Sequence, residues 1–156
     1  LDLTGKRAMV VGTGGVGSAI AASLAAEKIN AISLFDVNTS ACEALAQRLV
    51  NEYPHIQVNT GSNDPDGHDL VVNATPMGMS DGDPLPIDVS RLAPETFVGE
   101  VVMRTEMTAF LQAAQNRGCQ VQLGSDMLFE QIPVYLEYFG FKTTTADVLR
   151  TVASLG

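Results

Sequence analysis

Lys6-Arg7-Ala8-Met9-Val10-Val11-Gly12-Thr13-Gly14-Gly15-Val16-Gly17 decides the fold. An apolar run of strand length ends abruptly in three glycines at the spacing G-x-G-x-x-G, and an alanine-rich, helix-favouring stretch follows from Ser18 to Lys28. This reads as strand, tight turn and helix. In that context Gly12 permits the turn, Gly14 lets the backbone approach a pyrophosphate, and Gly17 lets helix and strand pack closely; the helix N-terminus offers amide donors to the anion. Gly12, Thr13, Gly14, Gly15, Val16 and Gly17 are therefore candidate dinucleotide contacts.

Working outward, Ala31-Ile32-Ser33-Leu34-Phe35-Asp36 is a second short apolar run, and Ala41–Glu52 has helical spacing, with Ala41, Leu45 and Leu49 on one face. Asp36 stands 19 residues after Gly17 at the end of the second strand, where a carboxylate accepts from adenosine ribose hydroxyls. The same acid opposes a 2′-phosphate: unit charges about 4 Å apart at an effective dielectric of about 20 repel by about 4 kcal/mol. Its neighbours Val37, Asn38 and Thr39 bring no offsetting arginine. NAD is thus favoured as cofactor, with NADP left open.

Beyond Pro54, Ile56–Thr60 reads as a short strand, and Gly61–Gly67 is turn chemistry where a crossover helix would ordinarily stand. Asp69–Asn73 and Phe97–Val102 lack alternation, as strands buried on both faces of a sheet do. Glu106–Arg117 reads as a helix, Cys119–Leu123 as a last strand, and Ser125–Phe139 and Thr144–Leu155 as two helices meeting at Gly140. The expected architecture is α/β: a Rossmann-like, doubly wound, mostly parallel sheet with helices on both faces and a helical carboxy-terminal tail. Residues 1–156 form one dinucleotide-binding domain in this reading.

Composition narrows the partners. The chain has 156 residues, 46% of them hydrophobic, with 18 acidic against 9 basic residues and a formal charge of −9. Such a balance disfavours nucleic acid and anionic membrane surfaces. No apolar run reaches the length of a membrane span and no signal-like segment opens the chain, so a cytoplasmic location is expected. Cys42 and Cys119 have no second cysteine or histidine at metal spacing and read as reduced core thiols; no metal is expected. His55 and His68, in polar loop-like surroundings, read as solvated.

Four strings together resemble the shikimate/quinate dehydrogenase family: Gly12–Gly17, Asn73-Ala74-Thr75-Pro76-Met77-Gly78-Met79, Val98-Gly99-Glu100-Val101-Val102, and Gly124-x-x-Met127-Leu128-x-x-Gln131. The second and fourth are the specific ones. The resemblance implies hydride transfer between NAD(P) and a ring alcohol of a cyclohexene or cyclohexane carboxylate, of the shikimate or quinate class. By matching position it implies cofactor contacts from Asp36, Val37, Asn73, Ala74, Thr75, Met77, Val101, Gly124, Met127 and Leu128 besides the glycine turn, and substrate contacts from Gln131 and Met103.

There are departures. Met103 stands where the family usually has a tyrosine, and Thr105 where a proline is usual. The family's catalytic lysine and aspartate belong to an amino-terminal substrate domain, and Lys6, Lys28 and Lys142 lie in no matching context. The expectation is a cofactor domain inactive alone, sharing its small-molecule substrate with a domain absent from this chain, its oligomeric state open. The alternative is a noncatalytic nucleotide-binding or regulatory module with an eroded substrate site.

Overall fold

The computed structural model describes residues 2–80, 82–103, 107–126, 140 and 145–153. Among these residues six strands form one sheet in the order β3-β2-β1-β4-β5-β6. They are β1 (Arg7–Val11), β2 (Ala31–Phe35), β3 (Gln57–Thr60), β4 (Leu70–Asn73), β5 (Phe97–Glu100) and β6 (Gln120–Gln122). All five pairings are parallel, and β1 lies between β2 and β4, with Val11 level with Phe35 on one side and Asn73 on the other. This is the doubly wound, Rossmann-like order expected.

Side-chain alternation along β1 feeds two cores. Ala8 and Val10 pack beneath α1 (Gly15–Ala26) and α2 (Thr39–Glu52) with Ala21, Leu24, Ile32, Leu34, Leu45 and Leu49. Met9 and Val11 face the other side with Val71, Val98, Phe110, Leu111 and Ala114, covered by α3 (Ala109–Asn116). Both faces being covered explains the uninterrupted apolar runs of β1 and β4. The buried positions of α1, Gly17, Ala21, Leu24 and Ala25, keep helical spacing although its composition is apolar almost throughout. Ala146–Ala153 forms the last described helix, α4.

Several boundaries differ from expectation for local reasons. Gly14 caps α1, which starts at Gly15 and not at Ser18, because tertiary packing of the turn overrides the low helix propensity of glycine. The Asn38 side chain accepts from the Ala41 amide and draws Thr39 and Ser40 into α2. α3 begins at Ala109, capped by Thr108, with Met107 outside it. A 3-10 turn, Val89–Arg91, capped by the Asp88 side chain, was not anticipated. Between β3 and β4 no helix forms, as the turn-rich segment Gly61–Gly67 implied. Of the two expected tail helices, most of the first and the flanks of the second lie outside the described residues.

His68 is a correction. Its ring is buried, with Nδ1 3.1 Å from the Pro65 carbonyl oxygen and Nε2 2.8 Å from Ser33 Oγ on β2. The turn at 65–68 folds back onto the sheet, which local polarity did not reveal. His55 is exposed as expected, and Cys42 and Cys119 are buried free thiols. Among the described residues no helix is long and apolar enough to cross a membrane, and no cluster has the makings of a metal site.

Candidate functional site

The candidate residues gather along the carboxyl ends of β1, β2, β4 and β5, around the point where strand order reverses between β1 and β4. Ligands of open α/β sheets bind at such a point. The three motif glycines differ in their reasons for being glycine. Gly12 has φ +96°, and a Cβ there would lie 2.8 Å from both the Ala74 carbonyl oxygen and Thr75 Cγ2. A Cβ on Gly17 would run into the Gly12 carbonyl oxygen. Gly14 is different: its φ is −68°, and a Cβ would meet no atom within 4 Å. The fold does not require glycine there, whereas a ligand lying against the backbone would. Gly14, Gly15 and Val16 are exposed, with no acidic side chain in the first turn of α1.

Asp36 follows the last residue of β2 and is held by the glycine turn. Oδ2 accepts from the Thr13 amide at 2.6 Å and from Thr13 Oγ1 at 3.0 Å, and Oδ1 accepts from the Asn38 amide at 2.8 Å. These donors, the Thr13 amide first, hold the carboxyl below the usual carboxylate range. Val37 beside it is 91% exposed and touches no core. A cavity of about 90 Å³ opens next to Asp36, lined by Phe35, Thr39, Cys42, Glu43, Thr60 and Gly61. Its second ionisable acid, Glu43, adds to the negative field.

Asn73 organises the next loop. Fully buried at the end of β4, it donates from Nδ2 to the Met77 carbonyl at 3.0 Å, and its Oδ1 accepts from the Thr75 amide at 3.0 Å and Thr75 Oγ1 at 2.6 Å. Thr75 Oγ1 accepts in turn from the Met77 amide, and the Asn73 carbonyl accepts from the Val101 amide at 3.1 Å. The Asn73 side chain thus braces the loop after β4, while its backbone carbonyl joins that loop to the β5 end. Facing it is an open cavity of about 500 Å³ lined by Ala74, Thr75, Pro76, Met79, Val101 and Met103, among others. Met103 is 55% exposed at its rim. Gly124 opens a helical turn over 124–126 against the Val101–Val102 backbone, where a Cβ would collide with the Val102 carbonyl. Met127, Leu128 and Gln131 lie outside the described residues.

Glu100 went unremarked as an individual residue in the sequence. It is 3% exposed at the end of β5, level with Asn73, and accepts from Thr108 Oγ1 at 2.9 Å. Burial pushes its carboxyl above the usual range. An acid inside an otherwise apolar strand was the available signal.

A curated shikimate dehydrogenase (NADP(+)) of Paracoccus denitrificans is 33% identical over 144 residues, 92% of this chain and 51% of its own length. The quinate/shikimate dehydrogenase (NAD(+)) of Corynebacterium glutamicum is 32% identical over 152 residues, 93% of this chain and 53% of its own. The chain is related to the shikimate/quinate dehydrogenases. It spans about half the length of these curated relatives. The relationship extends to solved structures: quinate dehydrogenase from Corynebacterium glutamicum in complex with NAD superposes with a TM-score of 0.83 at 30% identity, covering 98% of this chain and 56% of that one. Ligand-free 5-ketofructose reductase of a Gluconobacter strain gives a TM-score of 0.88 at 26% identity, covering all of this chain and 58% of that one. No family model matches the chain.

Proposed function

We propose that this chain is the dinucleotide-binding part of an NAD(P)-dependent shikimate- or quinate-type dehydrogenase, with NAD preferred. The observation that carries the reading is Gly14: the fold leaves open space over its backbone at the N-terminus of α1, where a pyrophosphate finds amide donors and the positive end of the helix dipole. Gly12–Gly17 would hold the pyrophosphate and Asp36 the adenosine ribose, with Val37 beside it. Asn73, Ala74, Thr75, Met77, Val101 and Gly124 would frame the nicotinamide half, together with Met127 and Leu128. The nicotinamide supplies the hydride chemistry; the protein supplies orientation and electrostatics.

The preference for NAD rests on Asp36, held ionised by the Thr13 and Asn38 donors, and on Glu43 beside it. A 2′-phosphate would meet two acids there. The relatives are about twice as long, and the catalytic lysine and aspartate that the resemblance implies have no matching context among the described residues: Lys6 is paired with Asp69 at 2.9 Å, at the opposite end of β1 from the cavity. In this reading a further domain of the parent protein would supply the general acid/base and most substrate contacts, with Gln131 and Met103 contributing from this side. Turnover by these 156 residues alone is not expected.

Titration with NADH and with NADPH, following cofactor fluorescence, tests the reading. Saturable NADH binding with NADPH at least about tenfold weaker is the expected outcome; binding of neither overturns it. A second reading, a nucleotide-binding module without catalysis, is favoured by the exposed Met103 at the cavity rim. Oxidation of shikimate or quinate by the parent protein would exclude it. Reduction of a ketose by that protein would instead align it with the 5-ketofructose reductase.

A further inference from the structure

Asp36 has one free lone pair where an adenosine ribose brings two hydroxyls. An ionised carboxylate offers about four acceptor sites, two on each oxygen. Among the described residues three are taken: Oδ2 by the Thr13 amide and the Thr13 hydroxyl, Oδ1 by the Asn38 amide. One ribose hydroxyl can be served by the site that remains, whereas a vicinal diol held through both hydroxyls, one to each oxygen, needs a second. Oδ1 has a site to spare and Oδ2 has none.

The two amides already fix the carboxylate. The Thr13 amide lies in the glycine turn and the Asn38 amide precedes α2, so each oxygen is anchored from a different element by a donor that no side-chain substitution removes. The Thr13 hydroxyl adds little orientation to that. It belongs to a residue only 7% exposed and makes its one described hydrogen bond to Asp36, at the longer distance of 3.0 Å.

We propose that the Thr13 hydroxyl is a built-in substitute for one ribose hydroxyl, occupying the Asp36 site that the second hydroxyl of an adenosine ribose needs, and so sets how tightly this site holds its cofactor. The inference rests on the dinucleotide reading above. For a ribose to bind through both hydroxyls, Thr13 must turn away from Asp36 and give up its hydrogen bond inside a buried setting, and the ligand meets that cost. Thr13 is a specificity residue that acts through Asp36.

The test is NADH titration of the wild-type chain and of Thr13→Val, Thr13→Ala and Thr13→Ser. Val and Ala lack the hydroxyl and should bind about three- to tenfold more tightly; Ser keeps it and should match the wild type. A damaged fold weakens binding, so a gain is not a structural artefact. Competition with ADP and with 2′,3′-dideoxy-ADP locates the effect: the gain of Thr13→Val should appear with ADP and vanish with the dideoxy nucleotide. Wild-type binding with no gain in Thr13→Val, or an equal gain for both nucleotides, overturns the inference and leaves the dinucleotide reading standing. Failure of the wild type and every variant to bind NADH overturns both.

Discussion

Single residues separate what the fold needs from what a ligand needs. Gly17→Ala forces a Cβ into the Gly12 carbonyl and should destabilise the chain by about 1–3 kcal/mol in denaturant unfolding. Gly14→Ala, with open space above it and an ordinary φ, should leave the unfolding midpoint almost unchanged while weakening NADH binding in the same titration. A matched loss of stability in both variants would mean that Gly14 is structural. Asn73→Ala should behave like Gly17→Ala, because it strands the Thr75 and Met77 backbone groups that Asn73 serves. The places of the glycine triplet and Asp36 at the ends of β1 and β2 were legible because their spacing is local. The burial of His68 against Ser33 was not, since its partner lies on β2, 35 residues away in sequence, and its own neighbours Asp66 and Asp69 are charged.

At the level of elements, strands were easier to read than helix ends. β1, β2 and β4 announce themselves as short apolar runs bounded by turn residues, whereas the start of α3 depends on Thr108, which caps the Leu111 amide and also donates to Glu100 eight residues earlier. That second contact is tertiary and leaves no periodic trace. Thr108→Ala removes both the cap and the one described donor to Glu100; a loss of about 1–2 kcal/mol is expected, with Thr108→Ser close to wild type. Circular dichroism melts of the three proteins check it. Phe110, fully buried between α3 and the sheet, should cost about 3–5 kcal/mol on truncation to alanine in the same melts.

Over the whole molecule, two sets of carboxyls pull stability in opposite directions with pH. Asp36 and Asp69 are depressed chiefly by backbone donors, from Thr13 and Arg7 respectively, so their contribution is present above 3.8 and disappears as pH falls through their lower native values. Glu100 is raised by burial, so the folded chain holds its proton longer than the unfolded one. Its contribution is full below 4.5 and declines as pH rises through its higher native value. Glu100→Gln should therefore flatten the decline of melting temperature above 4.5 and leave the acid limb in place. A wild-type slope that survives in Glu100→Gln assigns it to another group.

The central place of β1 also has a consequence for how the chain is made. Of the six strands β1 is synthesised first, yet its neighbour on one side is β2 and on the other β4, at 70–73. Until that later segment has been synthesised, the Ala8–Val11 edge has no ladder partner and Met9 and Val11 have no second face to pack against. Nascent chains ending before it should remain protease-sensitive and chaperone-bound, and those extending past α3 should become resistant in a single step.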